Sequence, residues 1–117
     1  MRAFFYLSTC NTCQRIQGEW ALPTDVELRE IKGQPLTEAE VDQLRALAGS
    51  YEALFSRRAM KFRQWGLHEQ SLTEDDYRRY LLADYTFLKR PVLVLDDQVF
   101  IGNSKKQVAA AKAALQG

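Results

Sequence analysis

Two cysteines three positions apart, Cys10 and Cys13, are the residues of this chain whose type and spacing most directly suggest covalent chemistry. They sit in Ser8-Thr-Cys10-Asn-Thr12-Cys13-Gln-Arg15. A thiolate, not a thiol, attacks disulfides and other electrophiles. At an i, i+3 spacing within a helical turn, both sulfurs lie on one side and close enough to join as a disulfide. Two blander readings compete. One is half of a zinc site, but such sites take about four ligands, and the chain offers only two cysteines and one histidine, His68; it does not build one unaided. The other is a pair of small buried residues with no chemistry, since cysteine is often buried. The surrounding elements favour the redox reading.

An unbroken apolar run, Ala3 to Leu7, leads directly into the motif and reads as a strand buried on both faces. The polar, helix-tolerant stretch Asn11 to Gln17 follows and ends at Gly18. Cys10 and Cys13 are therefore expected where a central strand gives way to the first turn of a helix. Free backbone N–H groups and the positive end of the helix dipole stabilise an anion there.

The remaining elements follow from pattern. Trp20 to Pro23 reads as a turn and Val26 to Ile31 as a second strand, with apolar residues alternating with charges as on a strand near an edge. Strand, helix and strand in about 30 residues suggest a parallel βαβ unit. Gly33 and Pro35 mark a loop, and a helical stretch begins at Thr37, whose pairing with Glu40 is a capping-box pattern. Val41, Leu44, Leu47 and Ala48 then form an apolar stripe up to Gly49. Tyr51, Leu54 and Phe55 suggest a short turn, and Ser56 to Trp65 a helix halted by Gly66. Thr73 with Asp76 caps one more helix carrying Tyr77, Tyr80 and Leu81, aromatics read as core packing. Val92 to Leu95 and Gln98 to Ile101 flank Asp96-Asp97 as a hairpin. Ser104 with Gln107 caps a last helix through Leu115. The expected fold is α/β with a four-stranded mixed sheet, βαβ then ββα, and a helical insert over about 37–88 between strands 2 and 3.

Length and composition bound the function. At 117 residues the chain is expected to be a single domain, 1–117, and 46% hydrophobic with 26% charged residues is an ordinary globular composition. Sixteen basic against fifteen acidic residues argue against a dedicated, charge-driven nucleic-acid binder. The apolar start is too short for a signal-peptide core or a membrane span, which places the expected compartment in the cytoplasm. There a Cys-x-x-Cys pair is more often catalytic or sensing than a permanent staple. Arg57, Arg58, Lys61 and Arg63 read by default as a solvated helix face. The sharper alternative points one of them at the cysteines, to hold an anion by charge-assisted hydrogen bonds.

The order of elements with this motif after the first strand looks like a thioredoxin-type fold, and the chain resembles the arsenate reductase (ArsC)/Spx family over nearly its whole length. Three stretches carry the resemblance: Tyr6 to Arg15, Leu54 to Leu67, and Lys89-Arg90-Pro91-Val92-Leu-Val continuing to Val99-Phe-Ile-Gly102-Asn. The resemblance implies that Cys10 is the nucleophile and Arg90 the arginine preceding the proline that is cis in thioredoxin-like folds, here Pro91. Arg58 matches an arginine of Spx-like members. Arg58, Pro91 and Thr12 are the expected substrate-binding residues, and no cofactor or metal is implied.

Departures from the family pattern leave two functions open. Arsenate reductases working with glutathione and glutaredoxin typically lack the second cysteine and use three arginines for the oxyanion. Here Cys13 is present, Ser56 stands at the middle arginine, with Arg57 or Arg58 beside it as a substitute, and Gly102 stands near the third. One reading is a thiol–disulfide or arsenate-type reductase, with Cys13 resolving and glutathione, glutaredoxin or thioredoxin donating electrons. The alternative is an Spx-like regulator that binds RNA polymerase through a Cys10–Cys13 disulfide switch. A fold kept without redox activity is the third. No membrane or direct nucleic-acid contact is implied, and a monomer is expected.

Overall fold

β1 (Arg2–Tyr6) is an interior strand, and its sequence explains why. Ala3, Phe4 and Phe5 are buried together, as a strand flanked on both sides and covered on both faces requires. The computed structural model describes residues 1–116 and divides them into two compact units, one formed by residues 1–34 with 90–116 and the other by Pro35–Lys89.

The first unit holds a four-stranded mixed sheet of β1, β2 (Glu27–Glu30), β3 (Val92–Leu95) and β4 (Gln98–Ile101), in the order β2-β1-β3-β4. β1 pairs in parallel with β2, Ala3 opposite Glu27 and Tyr6 opposite Glu30, and antiparallel with β3, Phe5 opposite Val92. β3 and β4 form the expected hairpin, turning at Asp96 with φ of 58°, a left-handed conformation that aspartate tolerates better than most residues. β3 is buried at every position, whereas β2 at the edge exposes Leu28. α1 (Asn11–Glu19) and α5 (Lys105–Gln116) send Ile16 and Ala111 into a core with Phe4, Leu93, Leu95, Trp20 and Val26.

β2 is shorter than the strand read over Val26 to Ile31, and α1 and α5 also depart from the sequence reading. α1 does not stop at Gly18. It runs on to Glu19, and the Trp20 N–H still bonds to the Ile16 carbonyl at 3.0 Å. The burial of the Trp20 side chain in the core sets the end of the helix, not the flexibility of an exposed glycine. At α5, Ser104 Oγ accepts the Gln107 N–H at 3.2 Å as the capping pattern predicts, but the Gln107 side chain turns to the Ile101 N–H at 3.2 Å and ties the helix to the end of β4.

The second unit is helical. α2 (Glu38–Ala48) and α4 (Glu74–Ala83) both start with the predicted capping boxes, Thr37 with Glu40 and Thr73 with Asp76. Single 3₁₀ turns at Glu52–Leu54 and Leu67–Glu69 separate the helices, and a third at Tyr85–Phe87 follows α4. α3 (Met60–Gln64) is shorter than the predicted helix from Ser56. Its start is delayed because the chain around Phe55 is held against that around Leu88: Phe55 bridges to Leu88, Ser56 N–H bonds to Phe87 O at 2.7 Å, and Lys89 N–H to Leu54 O at 2.8 Å. Phe55 is also the centre of an aromatic cluster, with ring centroids 5.0 Å from Tyr77, 5.1 Å from Phe87 and 5.9 Å from Phe62.

Candidate active site

Cys10 occupies the N-cap position of α1 with extended backbone angles. A tight turn delivers it there: β1 ends at Tyr6, Ser8 and Thr9 turn, and the Cys10 N–H bonds back to the Leu7 carbonyl at 3.0 Å. Its own carbonyl accepts the Gln14 N–H at 3.1 Å and opens the helix. The sulfur therefore faces N–H groups that have no partner inside the helix. Cys10 is partly exposed, Cys13 is fully buried one turn further on, and both are free thiols.

The two thiols have opposite environments. Burial works against a charged Cys10, but it is outweighed by hydrogen bonds from the Cys13 N–H and thiol, by the positive charge of Arg90 and by the Thr12 N–H, which together bring Cys10 below the ordinary thiol value. For Cys13, burial acts in the same direction as the neighbouring Cys10 sulfur, and against the Leu7 backbone and Arg90 these push its pKa up to about 11. One turn of helix thus separates an ionisable, reachable sulfur from a protonated, enclosed one.

Arg90 and Pro91 reach this place through the sheet. Because Phe5 pairs with Val92, the two residues preceding β3 lie at the same end as the turn following β1. The Arg90–Pro91 peptide is cis, Pro91 is buried, and its carbonyl accepts the Gly102 N–H at 2.9 Å. Cys10, Thr12, Cys13, Arg90 and Pro91 all belong to the sheet unit.

Arg58 belongs to the helical unit, where it is exposed and its backbone N–H bonds to Ser56 Oγ at 3.3 Å. Two of its neighbours are committed to that unit's own structure. Arg57 bonds to Glu52 at 2.5 Å and the Tyr77 hydroxyl at 2.8 Å, and Lys61 pairs with Asp84. Both stay at the surface, with 52% and 37% of their side chains exposed, but paired within this unit.

Two residues of the site were not singled out from sequence. Glu30, the last residue of β2, accepts the Ser8 N–H through Oε2 at 2.8 Å and the Lys32 and Gly33 N–H groups through Oε1 at 2.8 Å each. Gln14 donates its side-chain amide to the Ser8 carbonyl. The available signal for Glu30 was a carboxylate at a strand end just ahead of Gly33, a weak pattern until the register is known.

A mixed sheet in the order β2-β1-β3-β4, with a Cys-x-x-Cys at the helix following its interior strand and a cis-proline before β3, defines a thioredoxin-like α/β protein. The chain belongs to the ArsC family, whose model matches residues 5–111. It is similar in structure to the YffB protein, with a TM-score of 0.78 and 20% identity over 96% of this chain and 99% of that one. An ArsC family related protein from Bacteroides fragilis superposes with a TM-score of 0.76 and 22% identity over 95% and 97%. An arsenate reductase from Vibrio cholerae does so at 0.73 and 14% over 93% and 95%. At these identities the likeness is one of fold. A search of curated proteins found no match to the sequence. Family membership supports a thiol-dependent reductase at the level of the family, whose members use thiol partners such as glutaredoxin or thioredoxin. Among the described residues no helix is long and apolar enough to cross a membrane.

Proposed function

We propose that this protein is a thiol-dependent reductase in which Cys10 attacks and Cys13 resolves. The observation that carries the reading is the contrast between the two thiols: Cys10 held below the usual range at a helix N-terminus, Cys13 buried and held up to about 11. The Cys10 thiolate attacks one sulfur of a disulfide, the other sulfur leaves as a thiolate, and a mixed disulfide forms. Cys10 is now neutral. The sulfur that received the Cys13 hydrogen bond and repelled its ionised form no longer carries charge, so two of the influences that raise Cys13 disappear. Cys13 then loses its proton and attacks the Cys10 sulfur, releasing the second thiolate and leaving a Cys10–Cys13 disulfide. Two electrons have passed to the substrate. Two external thiols, from two glutathione molecules or from the dithiol of glutaredoxin or thioredoxin, return them and end as a disulfide.

Arg90 stabilises the attacking thiolate, whose charge it faces at the same end of the sheet. Thr12 and Pro91 are the proposed lining beside Cys10, and Arg58 the proposed second guanidinium for a negatively charged substrate. The two compact units are proposed to act as one ArsC-type domain, since the family match runs through both. The test is turnover of a small disulfide with Cys10→Ser and Cys13→Ser. Loss of turnover in both, with a trapped mixed disulfide on Cys10 only in Cys13→Ser, is the expected result. Undiminished turnover in Cys10→Ser sinks the reading.

The same pair would serve the Spx-like alternative, because two free cysteines at this spacing are what a disulfide switch requires. A pull-down against RNA polymerase subunits, with reduced and oxidised protein, separates the two. Capture that depends on the Cys10–Cys13 disulfide, without disulfide turnover, favours the regulator.

A further inference from the structure

Ser8 is held by side chains at both its N–H and its carbonyl, from Glu30 and Gln14, both outside the Cys10–Cys13 segment. In the parallel β1–β2 ladder the Tyr6 carbonyl accepts the Ile31 N–H at 2.9 Å. Along a strand every second residue faces the same neighbour, so Ser8 is the next residue of β1's path to face β2. The ladder does not continue there by backbone. The Glu30 carboxylate takes the Ser8 N–H at 2.8 Å. Its other oxygen takes the N–H groups of Lys32 and Gly33 at 2.8 Å each, so the acceptor itself is fixed by the loop after β2. From the opposite direction Gln14, in the first turns of α1, donates to the Ser8 carbonyl.

Ser8 and Thr9 make the turn that carries the chain from β1 to the N-cap, and the Cys10 N–H closes that turn on Leu7 at 3.0 Å. The angle at which the sulfur meets the Thr12 and Cys13 N–H groups depends on this turn. The geometry points to Glu30 as a positioning residue for Cys10: from the end of β2 its carboxylate fixes the Ser8–Thr9 turn and thereby aims the Cys10 sulfur at the amides of the α1 N-terminus. This rests on the reading of Cys10 as the reactive thiol. It adds a residue that never touches the substrate and whose effect is transmitted through a peptide group.

Charge and geometry make opposite predictions when Glu30 is changed, and that makes the role testable. Removing a negative charge near Cys10 would by itself favour the thiolate and lower its alkylation midpoint. Releasing the turn loosens the amide contacts and raises it. The experiment measures iodoacetamide alkylation of Cys10 against pH for the full chain, Glu30→Gln and Glu30→Ala, with the modified cysteine assigned by fragmentation and folding checked by thermal melting. The expected result is a midpoint raised by about half to one pH unit in a folded variant, which is about three- to tenfold slower alkylation below the midpoint. An unchanged or lowered midpoint in a folded variant overturns the proposal. Should neither variant fold, the unaltered protein decides: the Ser8 amide and the Cys10 Cβ resonances are expected to shift together as the Glu30 carboxyl protonates, and a Cys10 resonance that stays still while Ser8 moves overturns it. Failure of the reductase reading would show differently, as disulfide turnover surviving Cys10→Ser while the Glu30-dependent midpoint remains.

Discussion

Cys13 lies fully buried one helical turn beyond Cys10 at the N-cap, and the pairing of the two thiols lowers the Cys10 pKa while it raises that of Cys13. The proton of one cysteine thus stabilises the anion of the other. Alkylation against pH in the unaltered protein, with each modified cysteine assigned by fragmentation, should therefore show Cys10 titrating below the ordinary thiol value of 9.0 and Cys13 titrating well above it. If Cys13 is modified at lower pH than Cys10, the assigned roles are reversed.

The raised Cys13 value also predicts how the reduced protein's stability depends on pH. The folded protein keeps this proton to about pH 11, whereas an unfolded chain loses it near 9.0. Between those values the folded state binds more protons than the unfolded state, so the contribution is fully present below pH 9 and is lost as pH rises toward 11. A gap of about two pH units is worth about 2–3 kcal/mol. Urea unfolding of reduced protein at pH 8 and pH 10.5 should show a loss that Cys13→Ala removes. Equal pH dependence with and without Cys13 would show that the buried thiol is not its source.

Mild oxidation should close one intramolecular disulfide, with a mass loss of about 2 Da and reopening by dithiothreitol, because the two free thiols stand one helical turn apart at the start of α1. A persistent sulfinic acid on Cys10 is the contrary result. It would mean that Cys13 cannot reach the oxidised sulfur in time.

The position of Cys10 was legible because its causes are local. An apolar run is followed by a helix-tolerant run, and the junction falls at the cysteine whatever the rest of the chain does. The caps at Thr37 and Thr73 were legible for the same reason. The errors share the opposite cause. Ser56 joins no helix because Phe87, thirty-one residues later, accepts its N–H. α1 ends where Trp20 enters the core, not where Gly18 permits it. Glu30 stayed invisible because a strand-end carboxylate has no meaning until Tyr6 is known to lie opposite it.

Arg57 should prove structural. Its guanidinium bonds to Glu52 and the Tyr77 hydroxyl and lies 5.7 Å from the Tyr77 ring. The pair is half exposed, at 52% for each side chain, so Arg57→Ala should cost only about 0.5–1 kcal/mol while disulfide turnover is unchanged. Thermal melting beside a turnover assay checks this. A large loss of turnover at unchanged melting temperature would place Arg57 at the substrate.

The protein should reduce small disulfides better than arsenate. Arsenate at neutral pH carries between one and two negative charges and must approach Cys10 while that sulfur is a thiolate. Two like charges at 4 Å repel by about 4 kcal/mol at an effective dielectric near 20. Guanidinium groups offset this best when several surround the anion. Arg90 is near both sulfurs, and Arg57 is engaged by Glu52 and Tyr77. Where the resemblance to arsenate reductases calls for a third arginine stands Gly102, with φ of 85° and its N–H bonded to the Pro91 carbonyl at 2.9 Å. That backbone is one an arginine adopts only with strain, so Gly102→Arg should not simply restore the missing charge. Loss of one preorganised donor costs about 2.7–4 kcal/mol of transition-state stabilisation, a factor of about a hundred to a thousand in rate. A neutral disulfide makes no such demand. Arsenate reduction with glutathione and glutaredoxin, run beside disulfide reduction on the same preparation, should differ by at least about a hundredfold. Arsenate turnover at about 1–10 s⁻¹ would show that Arg58, Arg63 or a lysine supplies the absent cation.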